Sequence, residues 1–335
     1  MLWKAALFTA LCAALSAAPK SVFIFEGAPF KSCHASTIAE TKPGAFLAAW
    51  FGGDAEGKPN VAIWGSRYEN GRWSEPFEMV REPEIATFNP VLFYSKDRTL
   101  WLYYKFGPHP SQWTAGRTFS RDDGKTWSKP EHLPAGLYGP IRNKPLLLAD
   151  GTIVSGTSVE SYKSWTSWVE RSTDNAKTWS KHGPVIFPGE VYAPIQPAIV
   201  PLRDGRLRMF VRTTNRIGKI AIADSKDNGI TWSELRPIDL PNPNSGIDAV
   251  ALKDGRIVLI YNHTVKGRTP LNLAVSADGD RWNMFHTLES ESGEYSYPAI
   301  IQSQDGNVHV TYTWNRKQIK HEEIPLSEIP KHAKE

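Results

Sequence analysis

The chain has 335 residues, a formal net charge of +4, 13 tryptophans and 2 cysteines. No run of five or more Lys or Arg appears, which argues against a nucleic-acid surface, whereas mild basicity with scattered arginines suits a small acidic partner. HExxH, CxxC, GxSxG, Walker and EF-hand patterns are all absent, so the commonest metal, serine-hydrolase and nucleotide chemistries drop out and no cofactor or metal is expected.

The chain opens with Lys4, an apolar run from Ala5 to Leu15 and the small residues Ser16, Ala17 and Ala18. This is the pattern of a cleavable secretory signal over residues 1–18, and the run is well short of the ~20 apolar residues a membrane span needs. A secreted or periplasmic protein is expected, with residues 19–335 as one domain. Only Cys33 would remain after cleavage, so no intrachain disulfide is available to the mature chain.

Beyond the leader, one phrase keeps returning. Ser120 to Trp127 reads S-x-D-x-G-x-T-W; Ser172 to Trp179 repeats it with Ala176 for glycine, and Ser225 to Trp232 is a full copy. Ser276 to Trp282 is one residue short, and Ser66 to Trp73 keeps only Ser, Gly and Trp. The phrase recurs about every fifty residues, the period of a stacked supersecondary unit. In phase with it run the turn signals Asp150-Gly151, Asp204-Gly205, Asp254-Gly255 and Asp305-Gly306, flanked by apolar and β-branched residues as in paired strands. Each unit therefore reads strand, DG turn, strand, strand, Asp-box turn, strand. Four antiparallel strands make a propeller blade, and about 315 residues make about six, the last assembled from both chain ends. The expected fold is all-β: a six-bladed propeller whose box aspartates shape turns on the face opposite the site.

Three stretches carry chemistry rather than scaffold. Ser32-Cys33-His34-Ala35 precedes a strand that leads into Phe51-Gly52-Gly53-Asp54-Ala55-Glu56-Gly57, a glycine-rich loop with two carboxylates. Gln196-Pro197 starts a stretch that ends at Arg212, an inner-strand arginine that is costly to bury unless paired and suited to a carboxylate. Tyr261-Asn262-His263 to Arg268, followed by Glu294-Tyr295-Ser296-Tyr297-Pro298, adds a second arginine and a pair of tyrosines.

With these stretches in place, the chain resembles the sialidase (neuraminidase) superfamily over nearly the whole mature length. More narrowly, it is similar to Asp-box proteins carrying SCHAST, FGG-x-x-EG and NPNSGIDAV phrases, the last at Asn242 to Val250. The resemblance implies that Arg212 and Arg268 hold a substrate carboxylate, that Tyr295 is the nucleophile, and that Asp54 or Glu56 is the acid/base. It also marks departures. Cys33-His34-Ala35 stands where the first triad arginine belongs, Thr313 stands where its supporting glutamate belongs, and Gln196 replaces the glutamate that accepts the tyrosine proton. Three functions stay open: a secreted exo-glycosidase acting on a terminal acidic sugar of a glycan, a uronate-glycan lyase using His34, Tyr295, Arg212 and Arg268, and a non-catalytic sugar-binding propeller.

Overall fold

The computed structural model describes residues 19–331, so the signal segment 1–18 lies outside the described residues. Strands arise where the sequence alternates turn chemistry with apolar runs, and they collect into six antiparallel sheets. Blade one comprises Ser32–Lys42, Ala45–Gly53 and Ala62–Glu69, with a fourth strand in two pieces, Arg72–Trp73 and Phe77–Val80. Blade two is Thr87–Tyr94, Leu100–Phe106, Thr114–Ser120 and Glu131–His132. Blade three is Leu146–Leu147, Ile153–Glu160, Trp165–Ser172 and Ser180–Val185. Blade four is Ile195–Pro201, Leu207–Arg212, Lys219–Ser225 and Arg236–Pro241. Blade five is Asp248–Ala251, Ile257–Asn262, Leu271–Ser276 and Asn283–Glu289. Blade six pairs Tyr295–Gln302, Val308–Trp314 and Gln318–Ile324 with Lys20–Phe23 from the other end of the chain. Blade six packs against blades five and one, which closes the ring. The expected six-bladed propeller is the fold.

The core lies between blades rather than within any one of them. Ile257–Asn262 is buried at every position because both faces of a middle strand meet a neighbouring blade, which selects a continuous apolar run over strict alternation. One such layer joins blades five and six through Val258, Leu273, Tyr295, Ile300 and Tyr312.

Both turn signals shape the same end of each blade, because the connections from first to second and from third to fourth strand of an antiparallel sheet lie on one side. In the DG turns the aspartate accepts from the backbone N–H two residues on, as in Asp150 to Thr152 at 2.8 Å and Asp254 to Arg256 at 3.0 Å. In the Asp boxes Ser120 Oγ donates to Asp122 Oδ1 at 2.7 Å and accepts from Gly124 N at 2.8 Å, while Thr126 donates to the same carboxylate from N and Oγ1. Gly124 has φ +85° and a Cβ there would meet Leu47 Cδ2 at 2.9 Å, so glycine is favoured on both counts. Ala176 occupies the equivalent place at φ 66°. There are five boxes for six blades because the box connects third and fourth strands, and in blade six that connection is the break between the chain's two ends.

Candidate active site at the propeller axis

Four innermost strands break register near their start, between His34 and Thr37, Phe88 and Val91, Ile195 and Ala198, and Ser296 and Ala299. At each break one non-glycine residue is left-handed: Ala35 (φ 58°), Asn89 (φ 40°), Gln196 (φ 57°) and Tyr297 (φ 49°). Bulges of this kind re-aim side chains next to functional sites. The position has a fixed phase. Asn89, Gln196 and Tyr297 each stand eight residues before the turn aspartate, Asp97, Asp204 and Asp305, and each precedes a proline. Arg142 holds the same place before Asp150, and Gly246 before Asp254. Blade six thus presents Tyr297 between neighbours that offer only Gly246 and Ala35, and a Cβ on Gly246 would stand 3.3 Å from the tyrosine ring.

Tyr297 is the hub. Its hydroxyl accepts from Arg212 Nη1 at 2.6 Å. Its ring lies 5.3 Å from the guanidinium carbon of Arg142 and 5.5 Å from those of Arg212 and Arg268, and 4.3 Å from the His34 ring. Arg212, at the end of the second strand of blade four, also donates to Gln196 Oε1 at 3.2 Å and to Asn244 through Nε and Nη2. Its fork is filled entirely by neutral oxygens. Asn244 belongs to the NPNSGIDAV phrase, whose Asp248 accepts from Lys144 Nζ at 2.9 Å and Ile300 N at 3.0 Å. That phrase therefore ties blades three, five and six together beneath the tyrosine.

Toward the rim a chain of alternating charges runs around blades five, six and one. Arg268 Nη1 and Arg316 Nε both donate to Glu294 Oε1 at 2.9 Å, and Arg316 Nη1 reaches Glu56 Oε2 at 2.5 Å. Burial works against the Arg316 charge, but its bonds to Glu56 and Glu294 outweigh that and raise its pKa. His34 is buried and donates to or accepts from Thr313 Oγ1 at 3.1 Å. Burial, then the charges of Arg316, Arg268, Arg142 and Arg212, hold its pKa well below the usual histidine value, so the ring is neutral near pH 7.

The sequence-derived residues divide. His34, Gln196, Arg212 and Arg268 converge on the axis, and Glu56 reaches its rim through Arg316. Asp54 pairs with Lys31 at 2.9 Å in a separate cavity of about 430 Å³ that also includes Phe30, Trp64 and Arg81. Tyr295 is 2 % exposed and packs into the layer between blades five and six. The tyrosine at the axis is Tyr297. Sequence reasoning also passed over Arg142, Arg316, Asn244 and Glu160. Glu160 ends the second strand of blade three; burial raises its pKa, it lies near Arg212 and Gln196, and its Oε1 has no partner. Near blade one, where Cys33-His34-Ala35 lacks the expected arginine, Arg316 lies alongside, and its carbonyl accepts from Cys33 N at 2.9 Å. Among the described residues no group of three or more His, Cys, Asp or Glu could hold a metal ion, and no helix is long and apolar enough to cross a membrane.

Comparison with known proteins agrees with this architecture. A sialidase from Bacteroides fragilis (strain YCH46) is 27 % identical over 236 residues, covering 63 % of this chain but only 41 % of that relative. The chain thus spans less than half of its relative's length. Among solved structures, a protein of unknown function from Dyadobacter fermentans DSM 18053 superposes with a TM-score of 0.78 at 18 % identity, covering 91 % of this chain and 97 % of that one. The Hadza microbial sialidase Hz136 gives 0.74 at 19 %, covering 89 % and 66 %. The intramolecular trans-sialidase from Ruminococcus gnavus, solved with oseltamivir carboxylate, gives 0.72 at 15 %, covering 91 % and 97 %. At these identities the structures share the fold. A family model described as a BNR repeat-like domain matches residues 44–310, and the chain belongs to that BNR repeat-like family.

Proposed function

We propose that the axial cluster binds the carboxylate of a terminal acidic sugar and releases that sugar from a glycan, as a glycoside hydrolase of sialidase type. The observation that carries this reading is Tyr297, whose hydroxyl is 2.6 Å from Arg212 and whose ring is bordered by three guanidiniums. Arg212 and Arg268 hold the carboxylate; guanidinium forks recognise it in a planar, bidentate fashion. Tyr297 attacks or stabilises the anomeric carbon, the tyrosine exception among glycosidases. Glu56, on the rim with Arg316, protonates the leaving oxygen once substrate displaces that contact. The sialidase relative from Bacteroides fragilis supports the reading. Export through residues 1–18 would bring the enzyme to extracellular glycans, and mass measurement of the mature N-terminus tests it.

A lyase acting on uronate glycans is the second reading, and His34 favours it. A neutral imidazole 4.3 Å from the tyrosine ring is in a state to take a proton, the arginines would neutralise the uronate, and Gln196 offers no carboxylate base to the tyrosine. A panel of sialyl, ketodeoxy-acid and uronyl glycans, read by mass, separates the two. Hydrolysis adds one water to the products; elimination adds none and yields ultraviolet absorbance from a conjugated double bond. Release of neutral sugars only, or no reaction with any acidic glycan, would contradict both.

A further inference from the structure

Arg142 is a buried charge at the axis that the proposed reaction leaves unused. It is 2 % exposed. Its Nη1 donates to Asn143 Oδ1 at 2.7 Å, while Nε and Nη2 have no partner. Burial lowers its pKa to about 10. A guanidinium so placed is costly, because buried donors are normally satisfied and buried charges normally paired. The neighbouring guanidiniums of Arg268 and Arg316 meet Glu294 and Glu56. Arg142 and Arg212 meet no carboxylate within 4 Å among the described residues; Arg212 is met by Gln196, Asn244 and the Tyr297 hydroxyl. The Tyr297 ring lies across both, 5.3 Å from Arg142 and 5.5 Å from Arg212.

We propose that Arg142, from blade three, is a third guanidinium of the acid-binding site, and that in the empty protein Tyr297 stands in for the ligand, its ring over Arg142 and its hydroxyl on the Arg212 N–H that a sugar carboxylate takes. This rests on the acidic-sugar reading and deepens it. Arg142 adds a guanidinium from blade three to those that blades four and five set around the Tyr297 ring through Arg212 and Arg268. An unpaired buried guanidinium is a liability until the anion arrives, so its removal has two opposite effects. The empty protein gains stability, because an apolar side chain of similar length costs less to bury. The anion loses its partner.

The test is calorimetric titration of the full protein with N-acetylneuraminic acid and with glucuronic acid, glucose serving as neutral control, combined with thermal melts. For Arg142→Met the expected result is at least about a tenfold loss of affinity for whichever acid the wild type binds, the size of a lost charge-assisted contact, with a higher melting temperature. Tyr297→Phe, which keeps the ring and frees the Arg212 N–H, should bind the acid more tightly than wild type. Unchanged affinity in Arg142→Met, or a lower melting temperature, makes Arg142 a scaffold residue and overturns the inference while the acidic-sugar reading stands. Should Arg142→Met fail to fold, weaker or unchanged binding by Tyr297→Phe overturns it independently. Absence of binding of either acid by the wild type overturns the reading and the inference together.

Discussion

The two ends of this propeller use charged residues in opposite ways. At the Asp-box end the box aspartates Asp122, Asp174, Asp227 and Asp278 are saturated with hydrogen bonds. Asp227 accepts from Ser225, Thr231 and the backbone of Ile230 and Thr231, and although burial alone would raise its pKa, these bonds lower it to about 2. At the axial mouth the guanidiniums of Arg142 and Arg212 are buried with no carboxylate within 4 Å among the described residues, Asp248 and Glu160 acting on them from farther away. Saturated charge fixes a turn; unsaturated buried charge, on the proposed reading, takes a ligand. The same contrast separates the two tyrosines of one strand. Tyr295 is packed among Leu273, Ile300 and Tyr312, and Tyr297 stands among arginines.

That contrast can be broken most sharply at the tyrosines. Tyr297→Phe should abolish turnover of acidic glycans with the melting temperature little changed, since only a hydroxyl is lost from a partly exposed position. Tyr295→Phe should keep turnover. Steady-state rates for both variants decide between them, and the reverse pattern would return the reactive role to Tyr295.

The next largest effect is expected at Arg268. Arg268→Ala should raise KM and lower kcat, costing about 2–4 kcal/mol in kcat/KM, and Arg268→Lys should not rescue it, because the planar fork is lost. Kinetics at two ionic strengths would show whether the loss is that of a specific contact, which persists in salt, or of long-range attraction, which fades.

Acid stability comes third. His34, His309 and His321 all have lowered pKa values, chiefly through burial, with His321 at about 3. The His309–His321 pair, bonded at 3.0 Å, is packed by Phe46, Tyr68 and Trp73 and flanked by Asp305 and Glu323, which pull His309 the other way. The folded state binds fewer protons than the unfolded one below the ordinary histidine pKa. Stability is therefore complete above about pH 6.5 and falls toward the folded values, by up to about 1.4 kcal/mol per pH unit for each histidine. Melts from pH 7 to 4 check this, and His321→Phe should flatten the slope.

The smallest effect belongs to the Asp boxes. Asp227→Ala should destabilise by about 0.5–2 kcal/mol, the range for losing a capping carboxylate, with KM and kcat unchanged. A change in KM would mean that the box end communicates with the mouth.

The architecture was legible because each blade repeats its turn chemistry, and turn chemistry is local. Asp150-Gly151 and Ser225 to Trp232 announce their conformations from within a few residues. The site was legible only in part. His34, Gln196, Arg212 and Arg268 fall in stretches whose composition stands out. Tyr297 was not singled out, because the family phrase matches at Tyr295 and Ser296 and only the bulge at Ser296–Ala299 decides which side chain faces the axis. One signal was available: the spacing of eight residues from the turn aspartate, with proline following, which groups Asn89, Gln196 and Tyr297 and brings in Arg142. Arg316 carried no such mark. It reaches the mouth from a hairpin of blade six, and its bonds to Glu56 and Glu294 join residues far apart in the chain.

The most direct test of the central claim uses a slow-turnover fluorinated acidic sugar, followed by digestion and mass mapping of the protein. The expected result is one sugar per chain, on the peptide containing Tyr297, absent in Tyr297→Phe and present in Tyr295→Phe. Label that persists in Tyr297→Phe, or that maps to Tyr295, would contradict the assignment of the axial tyrosine as the residue that meets the sugar.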